Sequence, residues 1–467
     1  MRIAVIGSGY VGLVAAACFA ELGHAVISVD NDAEKLARLN AGVLPVHESF
    51  LAELVNRHHG RRLIFSSSVA EAVEASQVIF IAVGTPATAN GEADLSCVEA
   101  VSREIAHCMK GYRLLVEKST VPIFTNEWMK RTLLAEGAEP GSFDVASNPE
   151  FLREGNAVTD FLYPDRIVIG ADSEEATRLL LEIYEPLIDG SYAGREDAIP
   201  APESARIPTQ VITASIKSAE LIKHASNAFL AMKISFANAV ANICEAIGAD
   251  LSEVCSGIGA DSRIGPRFLQ PGIGFGGSCF PKDLLAFRAI AQEYGYDFRM
   301  LDEVMRINEE QRQRFVRKVR KALWTLKGKH LGVLGLAFKR GTDDIRESPA
   351  IALVRCLLKE GATIRAYDPA AMEHAREAFA TGEIQMAQDP YDAAIGCDAL
   401  LILTDWEEFA CLDLERLRGT LKYPIIIDGR NLYEPEAMVA KGFAYYSVGR
   451  PEAVPPQAAA LRNTKLS

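Results

Sequence analysis

Short apolar runs alternate with helical periodicity along most of the chain. Arg2–Ile6 is an apolar run, Tyr10–Leu22 a stretch of small residues with helical character ended by Gly23, and Ala25–Val29 a second run closed by Asp30. Short apolar runs bounded by turns read as buried strands, and their alternation with helices predicts a mostly parallel sheet covered on both faces. Val78–Val83, Leu114–Glu117 and Arg166–Gly170 continue the pattern. From about Asp189 to Pro208, acids, glycines and prolines predict a surface excursion. The strand signal then stops. Ser215–Gly248, Pro281–Tyr294 and Met300–Leu326 predict a central helical block. At Lys329 the first pattern returns. Leu331–Gly335 repeats Ile3–Gly7, Gly361–Asp368 repeats Gly23–Asp30, and strands Ala399–Leu403 and Ile425–Asp428 follow. The expected fold class is α/β, with two doubly wound domains joined by an α-helical block. The boundaries drawn are 1–212, 213–325 and 326–450. Residues 451–467 form a tail rich in Pro and Ala that is expected to fray.

Composition narrows the function. A chain of 467 residues is long enough for about three domains of ordinary size. Ile3–Ala20 carries no charge and has the length of a membrane span. Gly7, Gly9 and Gly12 interrupt it at turn-forming spacing, so a strand, a turn and a helix are expected there, and no other span is seen. A net charge of −13 argues against a nucleic-acid surface, which would need a basic stripe. The nine cysteines include no C-x-x-C, so neither a disulfide framework nor a metal site is expected, and a reducing cytoplasmic compartment is.

Gly7-Ser-Gly9-Tyr-Val-Gly12 is a G-x-G-x-x-G turn that follows a strand and opens a helix, which is the Rossmann dinucleotide fingerprint. Asp30, at the end of the second strand, can accept from ribose hydroxyls and would repel a 2′-phosphate, which favours NAD. The second copy keeps Gly335 but lacks the later glycines. A longer insertion there, Lys339 to Pro349, predicts a basic anion site in place of a dinucleotide site.

The most unusual segment is Gly272-Ile-Gly274-Phe-Gly276-Gly277-Ser-Cys279-Phe-Pro281-Lys-Asp283. Four glycines allow a close backbone approach, and Pro281 suits a first helical turn. A thiol at a helix start beside Lys282 suits a nucleophile. Lys223 and Asn227 share a helix face at i, i+4. Asn148-Pro149 reads as a helix cap, which would place Glu150 and Glu154 on one face. Thr120, in Glu117-Lys-Ser-Thr120-Val-Pro122, falls at the C-terminal end of a strand, where such sheets bind ligands.

These segments, taken with Asn148–Leu152 and Gly335–Lys339, resemble the UDP-glucose/GDP-mannose dehydrogenase family over almost the whole chain, most closely its members acting on UDP-glucose. The resemblance implies oxidation of a sugar hydroxymethyl to a carboxylate in two hydride transfers to two NAD molecules. Cys279 would attack the aldehyde to give a thiohemiacetal, and the second transfer would leave a thioester for water to cleave. Lys223 and Asn227 match positions that stabilise an oxyanion, Asp283 and Thr120 positions that hold the hydrolytic water, and Glu150 an acid/base.

At cofactor positions stand Gly7, Gly9, Tyr10, Val11, Gly12, Asp30, Lys35, Thr85, Pro86, Thr120, Glu154, Lys282 and Arg346. At substrate positions stand Glu150, Phe151, Leu152, Lys223, Asn227, Phe268, Leu269, Gln270, Pro271, Gly272, Gly276, Lys339 and Arg430, with Arg263 reaching the substrate of a dimer partner. The family's central helices imply a homodimer. The 1–212 domain would bind NAD, the 213–325 block would dimerise, and the 326–450 domain would bind the UDP-sugar. The alternatives are the same four-electron chemistry on GDP-mannose or a UDP-N-acetylhexosamine, a two-electron 3-hydroxyacid dehydrogenase, and a non-catalytic nucleotide-sugar sensor.

Overall fold

A computed structural model describes residues 1–86, 88 and 93–456. The predicted alternation builds two sheets. The first holds β1 (Arg2–Ile6), β2 (Ala25–Val29), β3 (Leu63–Ser66), β4 (Val78–Ile81), β5 (Arg113–Glu117), β6 (Phe143–Ser147), β7 (Ile167–Ala171) and β8 (Val211–Ala214). Their spatial order is β3-β2-β1-β4-β5-β6-β7-β8, parallel throughout except where β7 meets β6. The second sheet holds β9 (His330–Leu334), β10 (Thr363–Tyr367), β11 (Gln385–Met386), β12 (Ala399–Ile402), β13 (Ile425–Asp428) and β14 (Ala444–Tyr446). It is fully parallel in the order β11-β10-β9-β12-β13-β14, the doubly wound order in which the direction of growth reverses beside the first strand.

Helices cover both sheets and join them, notably Ile216–Ile247, Leu251–Gly259, Phe280–Glu293 and Arg299–Leu323. Internal packing divides the chain into two compact units. One comprises Met1–Ser226 with Lys282–Tyr296, and the other Asn227–Pro281 with Asp297–Ser467.

In the first unit, β1 and β4 are buried strands against the helix Tyr10–Glu21, whose small side chains let it lie close to the sheet. Phe19 centres that core, 4.6 Å from the ring of Phe80 and 5.1 Å from that of Phe161. The excursion after Asp189 is more ordered than its composition suggested. Tyr192 is buried, and Arg195 donates to the backbone oxygen of Glu21 at 2.7 Å. The fully buried Glu21 carboxylate is also held by Arg57 and His58, at 2.9 Å and 2.6 Å. A carboxylate with that many partners ties the strap to the helix end.

Several expectations are corrected. β8 lies where no strand was expected, because its half-exposed side chains carry no continuous apolar run. Ile216–Ile247 is long and apolar enough to cross a membrane by length and composition, a candidate that sequence reading passes over. Its first turns hold Glu220, Lys223 and His224 buried in the first unit. The tail is not frayed from 451 onward, since Ala453 pairs antiparallel with Tyr445. Residues 457–467 of that expected tail lie outside the described residues.

Candidate active site

In the first unit, the glycine fingerprint is a tight turn held by contact. Gly7 has φ +98°, and a Cβ on it would meet the Ala82 carbonyl oxygen at 2.5 Å. A Cβ on Gly12 would lie 1.8 Å from the Gly7 oxygen, so only glycine lets the helix start this close to the strand. Around Gly9, the N-cap residue, a Cβ would meet nothing within 4 Å. That open space at a helix N-terminus fits a dinucleotide pyrophosphate. Tyr10 and Val11 follow in the first turn, and the Tyr10 hydroxyl is bonded to Glu48.

Asp30 accepts from the Ser8 amide at 3.0 Å and from the Ser8 hydroxyl at 2.7 Å, and pairs with Lys35 at 2.8 Å. Burial alone would raise its pKa. The hydrogen bonds from Lys35, Ser8 and Asp32 outweigh that and bring it down to about 2. A fixed carboxylate therefore stands just past the C-terminal end of β2. Farther along the sheet, Thr85 donates to the Thr120 carbonyl at 2.8 Å, and the Lys282 ammonium lies 3.3 Å from the Thr85 hydroxyl. Pro86 is exposed beside them, and Glu154 is buried.

The same unit joins Glu150 and Lys223. Their 2.8 Å ion pair is almost wholly withdrawn from water, each side chain being 5% exposed. Burial would raise the Glu150 pKa. The charge and hydrogen bond of Lys223, the Leu152 amide and the charge of Lys118 reverse this and hold it below the ordinary carboxylate range. Phe151 lies beneath Lys223, its ring centre 5.5 Å from the ammonium, and Arg166 stacks on the same ring at 3.7 Å. Leu152 is half-buried.

The expected cap is wrong. Residues 148–153 are irregular, the next helix is Ala157–Leu162, and Glu150 and Glu154 share no helix face. The Asn148 side chain is buried and donates to the Val168 carbonyl at 2.8 Å. Tertiary partners have thus claimed the group that would have capped a helix. Asp283 is buried in the first turn of Phe280–Glu293, 3.8 Å from Lys282.

In the second unit, the glycine loop is packed as tightly as its composition implies. Gly272 donates to Asn238 at 2.9 Å, and Phe275 donates to Asn308 at 2.8 Å. A Cβ on Gly276 would lie 2.2 Å from the Glu347 carbonyl oxygen, and one on Gly277 would enter the Phe338 ring at 2.7 Å. Cys279 follows, half-buried, immediately before the helix Phe280–Glu293, with its sulfur 3.6 Å from the Ser278 hydroxyl.

Phe338 collects several predicted residues. Arg430 donates to its carbonyl at 3.2 Å and to that of Leu403 at 2.8 Å, and the Lys339 ammonium stands 5.6 Å from its ring centre. Leu269 is buried, Phe268 has φ +64°, Gln270 is exposed and Pro271 half-buried. Asn227 is buried on the long helix, one turn beyond Lys223. Arg263 and Arg346 instead pair with Asp261 and Asp344, each two residues earlier in the chain.

The second copy's acid is put to another use. Asp368 accepts from the Leu336 amide at 2.7 Å and the Ala337 amide at 3.0 Å, and from the amides of Ala370 and Ala371. A Cβ on Gly335 would meet the Thr404 side chain at 2.4 Å.

Sequence reasoning missed Lys118, Asn238 and Asn308. Their partners are far away in the chain, and only the lysine inside the Glu117–Pro122 motif carried a local signal.

Residues 1–188, 217–310 and 332–435 match, in order, the NAD binding, central and UDP binding domains of the UDP-glucose/GDP-mannose dehydrogenase family. The chain is 45% identical to UDP-glucose 6-dehydrogenase TuaD of Bacillus subtilis, over 96% of its own length and 93% of that protein. It is 44% identical to UDP-glucose 6-dehydrogenase of Rhizobium meliloti, over 97% and 100%. A solved UDP-glucose dehydrogenase from Pyrobaculum islandicum superposes with a TM-score of 0.84 at 39% identity, covering 96% of this chain and 97% of that one. NAD is the cofactor that the first of these domains binds, and the glycine turn and Asp30 fit it. The chain belongs to the UDP-glucose/GDP-mannose dehydrogenase family.

Proposed function

We propose that the protein oxidises UDP-glucose to UDP-glucuronate through a covalent bond to Cys279. The observation that carries this reading is the place of Cys279, at the end of a loop whose four glycines leave no room for a Cβ and directly ahead of a helix N-terminus. Such a position favours the thiolate over the thiol. The relatives named for UDP-glucose favour that sugar nucleotide. NAD, when bound, supplies the hydride acceptor, one molecule for each of two oxidations.

In the first oxidation Glu150 takes the hydroxyl proton as the carbon loses hydride. Lys223 and Asn227 face the oxygen that becomes negative, where buried cations and amides act most strongly. The Cys279 thiolate then adds to the aldehyde carbon, giving a thiohemiacetal. Loss of the second hydride leaves a thioester. Water held by Thr120 and Asp283 cleaves it, releasing carboxylate and restoring the thiol. The fingerprint residues from Gly7 to Gly12, with Asp30, Lys35, Thr85, Pro86, Glu154, Lys282 and Arg346, hold the cofactor. The loop from Phe268 to Gly276, with Lys339 and Arg430, holds the nucleotide sugar. The odd number and sparse spacing of the nine cysteines, with no C-x-x-C, support a reducing, cytoplasmic setting.

The reaction is tested by counting product. Two NADH per UDP-glucose are expected, with UDP-glucuronate as the only sugar product. One NADH per substrate would return the reading to a two-electron dehydrogenase.

We also propose that a second copy of the chain covers one side of the long helix. Phe229, Phe236, Ile243 and Ile247 recur at steps of seven and four, so they share a face, and each is more than half exposed. Phe236→Glu is expected to convert a dimer into a species of 50.8 kDa by sedimentation equilibrium. A wild-type protein already at that mass would end the proposal.

A further inference from the structure

The Glu150–Lys223 pair raises a charge problem. Its carboxylate and ammonium, 2.8 Å apart, are together neutral. A neutral pair offers little to an oxygen that is becoming negative. A second buried cation stands behind them. Lys118 follows β5 and is 4% exposed. Its ammonium donates to the Asn148 side-chain oxygen at 2.9 Å and lies 3.4 Å from both the Asn148 carbonyl and the Tyr184 hydroxyl. The ring centre of Phe161 is 5.5 Å from it and that of Phe80 is 6.0 Å from it. Both rings are within the range of cation–π attraction.

The carboxamide it grips is fixed on every side. Asn148 also accepts from Tyr184 at 2.6 Å and donates to Val168, and its chain runs through Pro149 directly into Glu150. The titratable groups facing Lys118 are Cys18 from the helix Tyr10–Glu21, Tyr184 from Glu174–Ile188, Glu150 after β6, and Lys223 from the long helix. Those acting on Glu150 are Lys223 and Lys118. An isolated buried ammonium is costly, and a neutral side chain would bond Asn148 as well, so packing alone does not require this charge.

We propose that Lys118 is a positioning residue for the reaction: a fixed second cation that balances Glu150, sets the Asn148–Glu150 turn, and leaves the charge of Lys223 for the substrate oxygen. The proposal rests on the roles given above to Glu150 and Lys223. Burial lowers the pKa of Lys118 to about 8, so it is still mostly charged at neutral pH and loses that charge in mild alkali.

The test is the pH profile of kcat in two variants. Lys118→Gln keeps a donor for Asn148 and removes the charge, whereas Lys118→Arg keeps the charge. In the Gln variant kcat is expected to fall about 10- to 100-fold, with KM for UDP-glucose changed by less than about threefold. Its acidic limb, set by the Glu150 carboxyl, should move to higher pH, because one of the charges holding that carboxyl low is gone. The Arg variant should keep the limb where the wild type has it. An unmoved limb in the Gln variant, whatever its loss of rate or stability, overturns the proposal, since a purely structural lysine leaves the titration alone. If the Gln variant does not fold, the Arg variant decides: a guanidinium keeps its charge in alkali, so the loss of kcat that the wild type shows as Lys118 deprotonates in mild alkali should be absent from Lys118→Arg, and an alkaline limb that does not move in that variant overturns the proposal. Failure of the underlying reading looks different, because Lys223→Met would then retain full turnover.

Discussion

Cys279→Ser is expected to make no UDP-glucuronate at a useful rate while still binding both NAD and UDP-glucose. The sulfur has one job in the proposed sequence, to carry the carbon between the aldehyde and acid levels. A serine hydroxyl fits the same space but is a far weaker nucleophile at neutral pH. Loss of a nucleophile typically costs many orders of magnitude, so a fall in turnover of at least about 10³-fold is expected. The first hydride transfer does not need sulfur, and the groups that would hold the cofactor and nucleotide are other residues, which the substitution leaves in place. Dissociation constants for both ligands should therefore stay within about threefold. Counting NADH per UDP-glucose checks the chemistry, and mass spectrometry of wild-type protein quenched in turnover checks for an adduct on Cys279. Two NADH per sugar at the wild-type rate in the variant would remove the covalent step.

The next largest effect is expected at Lys223. Lys223→Met leaves Glu150 buried without the cation that contributes most to holding it ionised. Breaking a buried pair on one side costs about 3–5 kcal/mol, more than exposed ion pairs contribute. The dependence on pH follows from the same facts. In the wild type, Glu150 titrates below the ordinary carboxylate range, so its stabilisation is present at neutral pH and is lost as pH falls through that low folded value. In the variant, burial becomes the larger influence and raises the carboxyl. The deficit should therefore be largest at neutral and alkaline pH, where folding must keep a disfavoured buried carboxylate, and smaller at about pH 5, where the raised carboxyl of the variant takes up a proton. Denaturant melts at about pH 5 and about pH 8 read this directly. Adding Glu150→Gln should recover most of the lost stability and none of the activity. A double variant as unstable as the single one would show that the pair is not what holds this region.

The elements that resisted sequence reading share one physical cause. The fingerprint Gly7–Gly12, the returning pattern at Lys329 and the loop before Cys279 are local, because a tight turn demands glycine at the turn itself. Asn148 was misread as a cap because its neighbours allow one, and only folding brings Lys118 and the Val168 carbonyl to claim its side chain. Asn238 and Asn308 show nothing in sequence, yet each holds the glycine loop from more than thirty residues away in the chain. The strap after Asp189 looked featureless for the same reason, since Glu21, which anchors it, lies in the first helix. Periodicity reports which face is buried, and it cannot report which distant polar group a buried side chain will meet.

Asp30 and Asp368 occupy equivalent places, and each accepts from the amide that follows the first glycine of its turn, Ser8 in one copy and Leu336 in the other. The carboxylate therefore has two separable uses, shaping its own loop and offering an acceptor to a ribose. The first persists in a turn that lacks the later glycines. Under mutation and selection, an acid at this place should outlast the ligand it once served, so descendants of a duplicated nucleotide fold can keep the mark of an ancestral cofactor long after they stop binding it.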